Sequence, residues 1–332
     1  RDSVASRGLG DVYKRQVEYL TYKINFKISM FLVLCFAMLA CTQTKSQTLD
    51  SSGTESSQFR LAFAVSDLSV GTNRLAFGII ESGEGPVRDI PIEIKTYYLD
   101  GPSPDDPIET LIPTYRSWPT GQGIYTTTVQ FNHAGRWGIL ASSTTKNKEF
   151  DASAGISVRM KSLVPMPGNK PPMSVTKTTE IISELPSITS DPNPNIHLYK
   201  TPLNEAVTSG RPTIVVFATP AFCSTSTCGP QLEILSSFEL NYGGKANFIH
   251  VEIYDNPHEI QGDISRGVVS NEVLKWNLPS EPWTFIIDSD GLISSRFEGF
   301  ATFDEIEAVS YTHLRAHETL RYLVLRRLVE KK

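Results

Sequence analysis

Thr213-Ile-Val-Val-Phe-Ala-Thr-Pro-Ala-Phe-Cys223-Ser-Thr-Ser-Thr-Cys228-Gly-Pro230 joins a continuous apolar and β-branched run to two cysteines. A run without alternation, Thr213 to Ala218, predicts a strand covered on both faces. The cysteines follow its end directly, where a reactive dithiol would sit in an α/β redox domain. Ahead of the strand, Leu203 to Gly210 reads as a short amphipathic helix ended by glycine. Behind the cysteines, Pro230 to Tyr242 carries Leu232, Leu235, Phe238 and Leu240 and reads as a helix closed by Gly243-Gly244. Ala246 to Ile253 is a second internal strand, so strand, helix and strand imply a right-handed parallel crossover. Glu281-Pro282-Trp-Thr-Phe-Ile-Ile-Asp-Ser-Asp-Gly291-Leu-Ile-Ser-Ser-Arg-Phe-Glu-Gly299 then gives strand, tight Asp-Gly turn and strand, a hairpin signal.

In this order the units resemble the thioredoxin-like superfamily, over about Ile196 to Val309. The resemblance implies an α/β domain with a central mixed sheet and a dithiol at the strand end. It also implies a cis proline before the third strand, beside the dithiol, a place that Pro282 takes. The expected catalytic set is Cys223, Cys228 and Pro282, acting in thiol-disulfide exchange with protein thiols or disulfides, with no cofactor.

The spacing departs from the family, which places two residues between its cysteines where this chain has four. On an unbroken helix Cys223 and Cys228 would stand about 140° and about 7.5 Å apart, too far round for a bridge. Ser224-Thr-Ser-Thr227 is a weak helix former and Gly229 loosens it further, so a loop is expected, with the helix starting at or after Thr227. Two registrations stay open. One resembles the peroxidatic and resolving pair of a peroxiredoxin subgroup, although Pro220 stands where that group has Thr, Thr219 is one residue too early, and only Arg296 lies in the hairpin to hold a peroxide. The other aligns Cys228-Gly-Pro-Gln231 with the thioredoxin motif, leaving Cys223 as substitute partner. Cys223 is favoured as exposed nucleophile and Cys228 as resolving thiol; helix-end amides would favour a thiolate at Cys228, so the reverse assignment stays open.

Other readings use the same residues. An inert disulfide would leave a non-catalytic binding domain. Cys223 and Cys228 could instead hold a soft metal as a copper-binding or metallochaperone module, but His250 and His258 both precede Pro282, unlike the downstream histidine of copper-assembly relatives. Glu252, Asp255 and Glu259 read as a solvated acidic rim. Trp283 either covers the dithiol or packs in the core.

From Phe59 to Ser162 short apolar runs alternate with turn residues: Phe59 to Val65, Arg74 to Ile80, Ile92 to Leu99, Gly123 to Phe131, Trp137 to Ala141 and Ala154 to Met160. Six or seven strands over this length predict an all-β sandwich. Gly123 to Gly138 resembles a hairpin of immunoglobulin-like modules in exported bacterial proteins, with Tyr125, Val129, Phe131 and Trp137 packing inward and His133 in a solvent-facing turn. Residues 163–195, with Pro165, Pro167, Pro171, Pro172, Pro192 and Pro194, read as a proline-rich linker that wraps partly over the next domain. The domains are thus 59–162 and 196–309.

The N-terminal region reads as an export device. Lys23 and Lys27 flank the apolar stretch Ile28 to Ala40, which contains Cys35 and is too short for a span. Met38-Leu-Ala-Cys41 resembles the bacterial lipoprotein processing box, with Met38 and Leu39 departing from it. Residues 17–41 would then be a lipoprotein-type signal, Cys41 the lipidated residue, and 42–58 a polar tether. This places the chain in the cell envelope at the outer face of the cytoplasmic membrane, with secretion or a signal anchor as alternatives. In each case disulfides persist. Residues 1–16 and 310–332 resemble translated sequencing-adapter read-through and carry no functional expectation. The net charge of −5, from 31 Lys+Arg and 36 Asp+Glu in 332 residues, gives no support for nucleic-acid binding.

Overall fold

Alternation decides what the first nine strands bury. The computed structural model describes residues 58–118, 121–145 and 148–310. The expected signal 17–41 with Cys41, residues 42–57 of the tether, and the stretches 1–16 and 311–332 lie outside the described residues. The strands are β1 (Phe59–Phe63), β2 (Gly71–Glu81), β3 (Gly85–Pro86), β4 (Glu93–Tyr98), β5 (Pro107–Leu111), β6 (Thr114–Ser117), β7 (Gly123–Phe131), β8 (Gly135–Thr145) and β9 (Lys148–Val158). One antiparallel sheet has the order β1-β2-β7-β6, with β3 on β2; the other has the order β5-β4-β8-β9. Leu75, Phe77 and Ile79 of β2 share a core with Ile94 of β4 and Trp137, Ile139 and Ala141 of β8. Their spacing of two sends one face of each strand inward.

The sheets are hydrogen-bonded separately and do not close on one another. Outside the strands, an isolated parallel bridge joins Ser69 to Arg159. Strands β5 and β6 were not legible in the sequence because both are short edge strands with largely exposed residues, so they carry no apolar alternation. Tyr125, Val129, Phe131 and Trp137 are all buried. His133 stacks on Tyr98, with ring centroids 5.0 Å apart.

The second part of the chain is an α/β domain with a mixed sheet, compatible with a thioredoxin-like fold. Its strands are β10 (Thr213–Ala218), β11 (Asn247–Glu252), β12 (Trp283–Ile287) and β13 (Ile293–Glu298), in the order β11-β10-β12-β13. Every residue of β10 is buried. It pairs parallel with β11 and antiparallel with β12. Helices are α1 (Leu203–Ala206), α2 (Cys228–Tyr242), α3 (Pro257–Ile260), α4 (Asn271–Trp276) and α5 (residues 303–310). Helix α1 stops early because the Thr208 and Ser209 hydroxyls bond back to carbonyls of residues 204–206, offering the chain an alternative to the next turn. Helix α2 buries Leu232, Leu235 and Phe238 but leaves Leu240 exposed. At its end a Cβ on Gly243 would meet the Glu239 carbonyl oxygen at 2.7 Å, so glycine is needed there for close approach. Among the described residues no helix is long and apolar enough to cross a membrane.

Residues 163–195 are bound to this domain. Val164 and Leu185 enter the two cores flanking the sheet. Gly168 N donates to Ile293 O and Ile293 N to Asn169 O. Trp276 Nε1 donates to Ser174 Oγ at 2.8 Å.

A polar seam joins the β13 side of this domain to the first sheet. Arg296 Nη1 donates to Asp67 Oδ2 at 2.9 Å, to Ser162 Oγ at 2.8 Å and to Val164 O at 3.2 Å. Glu298 accepts from Ser66 N, Ser66 Oγ and Ser280 Oγ. Arg74 pairs with Glu305 at 3.0 Å and donates to the Phe300 carbonyl. Burial pushes the Asp67 carboxyl up, but Ser162, the Leu163 amide and Arg296 together hold it below its ordinary value. Removing one partner strands the other in a buried site. Asp67→Ala is therefore expected to lower stability by about 3 kcal/mol, and Asp67→Ala with Arg296→Met by clearly less than the sum of the two single changes. Urea unfolding of the three variants measures this, and strictly additive losses would show that the pair is not coupled.

Candidate active site

The buried strand β10 ends at Ala218, and the chain emerges through Thr219 and Pro220 into the cysteine loop. Ser226 has φ of 57°, a left-handed conformation uncommon for a non-glycine residue. That turn brings the chain back, so that Cys228 becomes the first residue of α2 with its Cα 6.0 Å from that of Cys223. The two form a disulfide. The loop expected from Ser224-Thr-Ser-Thr227 is thus what allows a four-residue spacer to close, and the helix begins just after Thr227.

The two sulfurs have different surroundings. Cys228 is fully buried, at 0% exposure, in the core that contains Leu232 and Ile214. Cys223 is half-buried at its edge. Cys228 N donates to Cys223 Sγ at 3.3 Å, and Thr225 Oγ1 lies 3.3 Å from the same sulfur. The helix-end amide therefore serves Cys223; a thiolate at Cys228 was expected only if that residue capped the helix, and the cap is Thr227. A thiolate at Cys223 would be favoured by that amide and by the positive end of α2. Residues 219–231 contain no charged side chain, leaving these dipoles as the local source of positive potential on the loop itself.

The Glu281–Pro282 peptide is cis. Ser224 N and Oγ donate to Glu281 Oε1 at 3.4 and 3.0 Å, which ties the cysteine loop to the residue preceding Pro282. Trp283 is 1% exposed and stacks on Phe285 at 5.7 Å, so it packs in the core. Arg296 is engaged by Asp67, with its guanidinium 5.6 Å from the centre of the Trp283 ring; the hairpin arginine considered for holding a peroxide has another task. Gln231 is fully buried and its Oε1 accepts from Ala301 N at 2.8 Å, anchoring the chain before α5. Among the described residues no three His, Cys, Asp or Glu side chains gather as a metal site.

Behind the loop lies a buried polar group of residues that the sequence did not disclose. Glu252, expected on a solvated rim, is only 6% exposed. The reason is its position on β11, directly across from Ala218 of β10, under the segment 189–191. Its Oε2 accepts from Ser190 N and Oγ, both at 2.8 Å, and Ser190 Oγ accepts from Ala221 N at 3.2 Å. Burial pushes the Glu252 carboxyl up, against hydrogen bonds from Thr219, Ser190 and Ile253. His250 Nδ1 lies 2.7 Å from Tyr199 Oη, and its Nε2 lies 3.1 Å from Ala218 O. Burial lowers the imidazole to about 4. Asp255 is paired with Lys177 at 3.5 Å, and Glu259 is exposed.

No protein-family model matches the chain, and no curated protein does. Among solved structures, the chain is similar to a thiol:disulfide interchange protein of the thioredoxin family from Chlorobium tepidum TLS. The identity is 14%, with 38% of this chain and 97% of that chain covered, and the TM-score is 0.27.

Two outcomes are expected from this arrangement. After mild reduction of the native protein, iodoacetamide should modify Cys223 at least about tenfold faster than Cys228, because only the thiolate of an accessible sulfur reacts. Peptide mass spectrometry measures the ratio, and equal rates would contradict the buried placement of Cys228. His250 should also make the fold acid-sensitive. Its folded value near 4 lies below its ordinary 6.5, so its contribution is present above about 6.5 and lost as pH falls toward 4. The loss is about 3 kcal/mol. Glu252 acts in the opposite sense, favouring the fold at low pH and losing that contribution as pH rises through its raised value. His250→Gln should flatten the acid limb of urea stability and Glu252→Gln should steepen it; an unaltered limb in His250→Gln would remove His250 from the explanation.

Proposed function

We propose that the α/β domain exchanges disulfides with other proteins through Cys223 and Cys228. The observation that carries this is the asymmetric pair at the N-terminus of α2, with one sulfur half-exposed beneath a helix-end amide and the other fully buried. In the reduced state, the Cys223 thiolate attacks one sulfur of a client disulfide. A mixed disulfide forms and the client's other sulfur leaves as a thiolate. Cys228, having given up its proton, then attacks Cys223 Sγ; the client leaves with two reduced sulfurs, and Cys223–Cys228 is oxidised by the same two electrons. Run backward, the same steps oxidise a client dithiol. Pro282 borders the site through Glu281 and is read as a wall for the client chain.

The remaining parts are read around this activity. Residues 59–162 form an immunoglobulin-like β-sandwich, 163–195 a connecting strap, and 196–309 the thioredoxin-like domain. Cys41 is the lipid attachment point, 42–58 the tether, and the protein works in the cell envelope, where clients with disulfides occur. The seam through Asp67 and Arg296 supports a fixed mounting of one domain on the other.

Equilibration of the full chain in a glutathione series, followed by thiol trapping, tests the reading. A reversible transition between about −120 and −270 mV is expected of an exchange-active pair. Cys228→Ser should accumulate mixed disulfides with a client peptide, and Cys223→Ser should not. A pair that stays oxidised below about −300 mV would instead be a structural staple, and the exchange reading would fall.

A further inference from the structure

A cavity of about 860 Å³ lies at the polar seam, and its walls include Arg74, Arg296, Glu298 and Glu305. Those charges are already engaged, Arg74 with Glu305, Arg296 with Asp67, and the Glu298 carboxylate with Ser66 and Ser280. A different groove, of about 630 Å³, runs along the cysteine loop itself, with walls that include Ile182, Pro192, Pro194, Ala221, Phe222 and Pro257. Ala221 and Phe222 immediately precede Cys223 in the chain, so the groove reaches the start of the cysteine loop. Pro282 is not part of these walls, which come instead from the strap ahead of the domain and from α3. Phe222 is braced from behind by Tyr254, with ring centroids 6.0 Å apart.

The groove has a sign. The three segments that build it, 180–196, 219–231 and 257–263, contain Glu180, Glu184, Asp191, Glu259 and Asp263 and no lysine or arginine. Glu184 stands on the same 3-10 helix as Ile182, Asp191 lies on the wall, and Glu259 follows Pro257 and His258 on α3. Ile181 and Ile182 are 54% and 73% exposed at the rim, a pair of apolar side chains left to solvent beside a carboxylate border. Prolines supply no backbone N–H, so an occupant is held by side-chain packing and charge and not by adding a strand.

We propose that this groove binds an extended, cationic segment of the client polypeptide, with apolar side chains on Ile182 and Phe222 and lysine or arginine against Glu184, Asp191 and Glu259. This deepens the exchange reading and rests on it, because the groove presents the client's neighbouring sulfur to Cys223. The five carboxylates outnumber Arg266, which donates to Gln261 on the wall, and the excess favours a positively charged partner mainly through approach and orientation.

The test uses two dye-labelled peptides, Lys-Val-Lys-Leu-Lys-Ser-Gly and Glu-Val-Glu-Leu-Glu-Ser-Gly, with serine in place of cysteine so that binding is read without thiol chemistry. Fluorescence anisotropy with the full chain at low salt should show the lysine peptide bound at least about tenfold more tightly than the glutamate peptide. The ratio should fall to about two or less in the triple variant Glu184→Gln, Asp191→Asn, Glu259→Gln, and also on raising salt to about 0.5 M. Ile182→Ser should weaken the lysine peptide by at least about threefold without changing the salt dependence. Equal binding of the two peptides, no binding of either, or a ratio unchanged in the triple variant would overturn the proposal. Exchange with 2-hydroxyethyl disulfide, a small uncharged substrate, is measured in parallel. Its absence in the unmodified protein would overturn the exchange reading while leaving the peptide result to judge the groove.

Discussion

Burial of β10 on both faces is the constraint on which the second domain depends. Ile214 and Val216 point into one core with Leu232, Leu235 and Phe238, while Val215 and Phe217 point into the other with Trp276 and Phe285. A strand so placed needs neighbours on both edges, and β11 and β12 supply them. It also needs a layer above and below, which α2 and α4 provide. Once β10 is fixed, its exit at Thr219 is fixed, and so is the starting point of the cysteine loop. The pair owes its location to this strand.

The chemistry of the pair depends on a second constraint, the reversal at Ser226. A four-residue spacer that continued as helix would carry the two thiols to different faces. With Ser226 in a left-handed conformation, the chain folds back and the amide of Cys228 meets Cys223 Sγ. The same reversal buries Cys228 and leaves Cys223 at the edge. Asymmetry between the sulfurs, and hence an order of attack, follows from one turn of backbone. The Glu281 carboxylate on Ser224 and the Ser190 hydroxyl on Ala221 N hold the loop from two sides.

The seam and the strap extend this organisation beyond the α/β core. Asp67, from the connection after β1, is held by Arg296 of β13, and Glu298 gathers four donors from outside its own strand. Charges in such a place are retained only when each has its partners. The strap contributes Val164 and Leu185 to the cores, and by covering Glu252 with Ser190 it turns a carboxylate at a strand end into a buried group. It is also this strap that builds one wall of the groove beside Cys223.

Local pattern by itself determined the strands of the α/β domain and their order along the chain. The unbroken run Thr213 to Ala218, the helix carrying Leu232, Leu235 and Phe238, and the Asp-Gly hairpin each announce themselves within a few residues, because periodicity and turn chemistry are local properties. The alternating core residues of β2, β7 and β8 were legible for the same reason, and β5 and β6 were not, because edge strands bury too little to show a period. A loop at Ser224 to Thr227 was legible, because serine and threonine are weak helix formers, but the left-handed turn at Ser226 that closes it was not. Only the tertiary structure decided that the helix-end amide serves Cys223, that Glu252 is buried, that Arg296 belongs to Asp67, and that strap, cysteine loop and α3 enclose one acidic groove. Each of these depends on which distant segments meet, and contact between residues 30 to 230 positions apart leaves no mark in a local pattern.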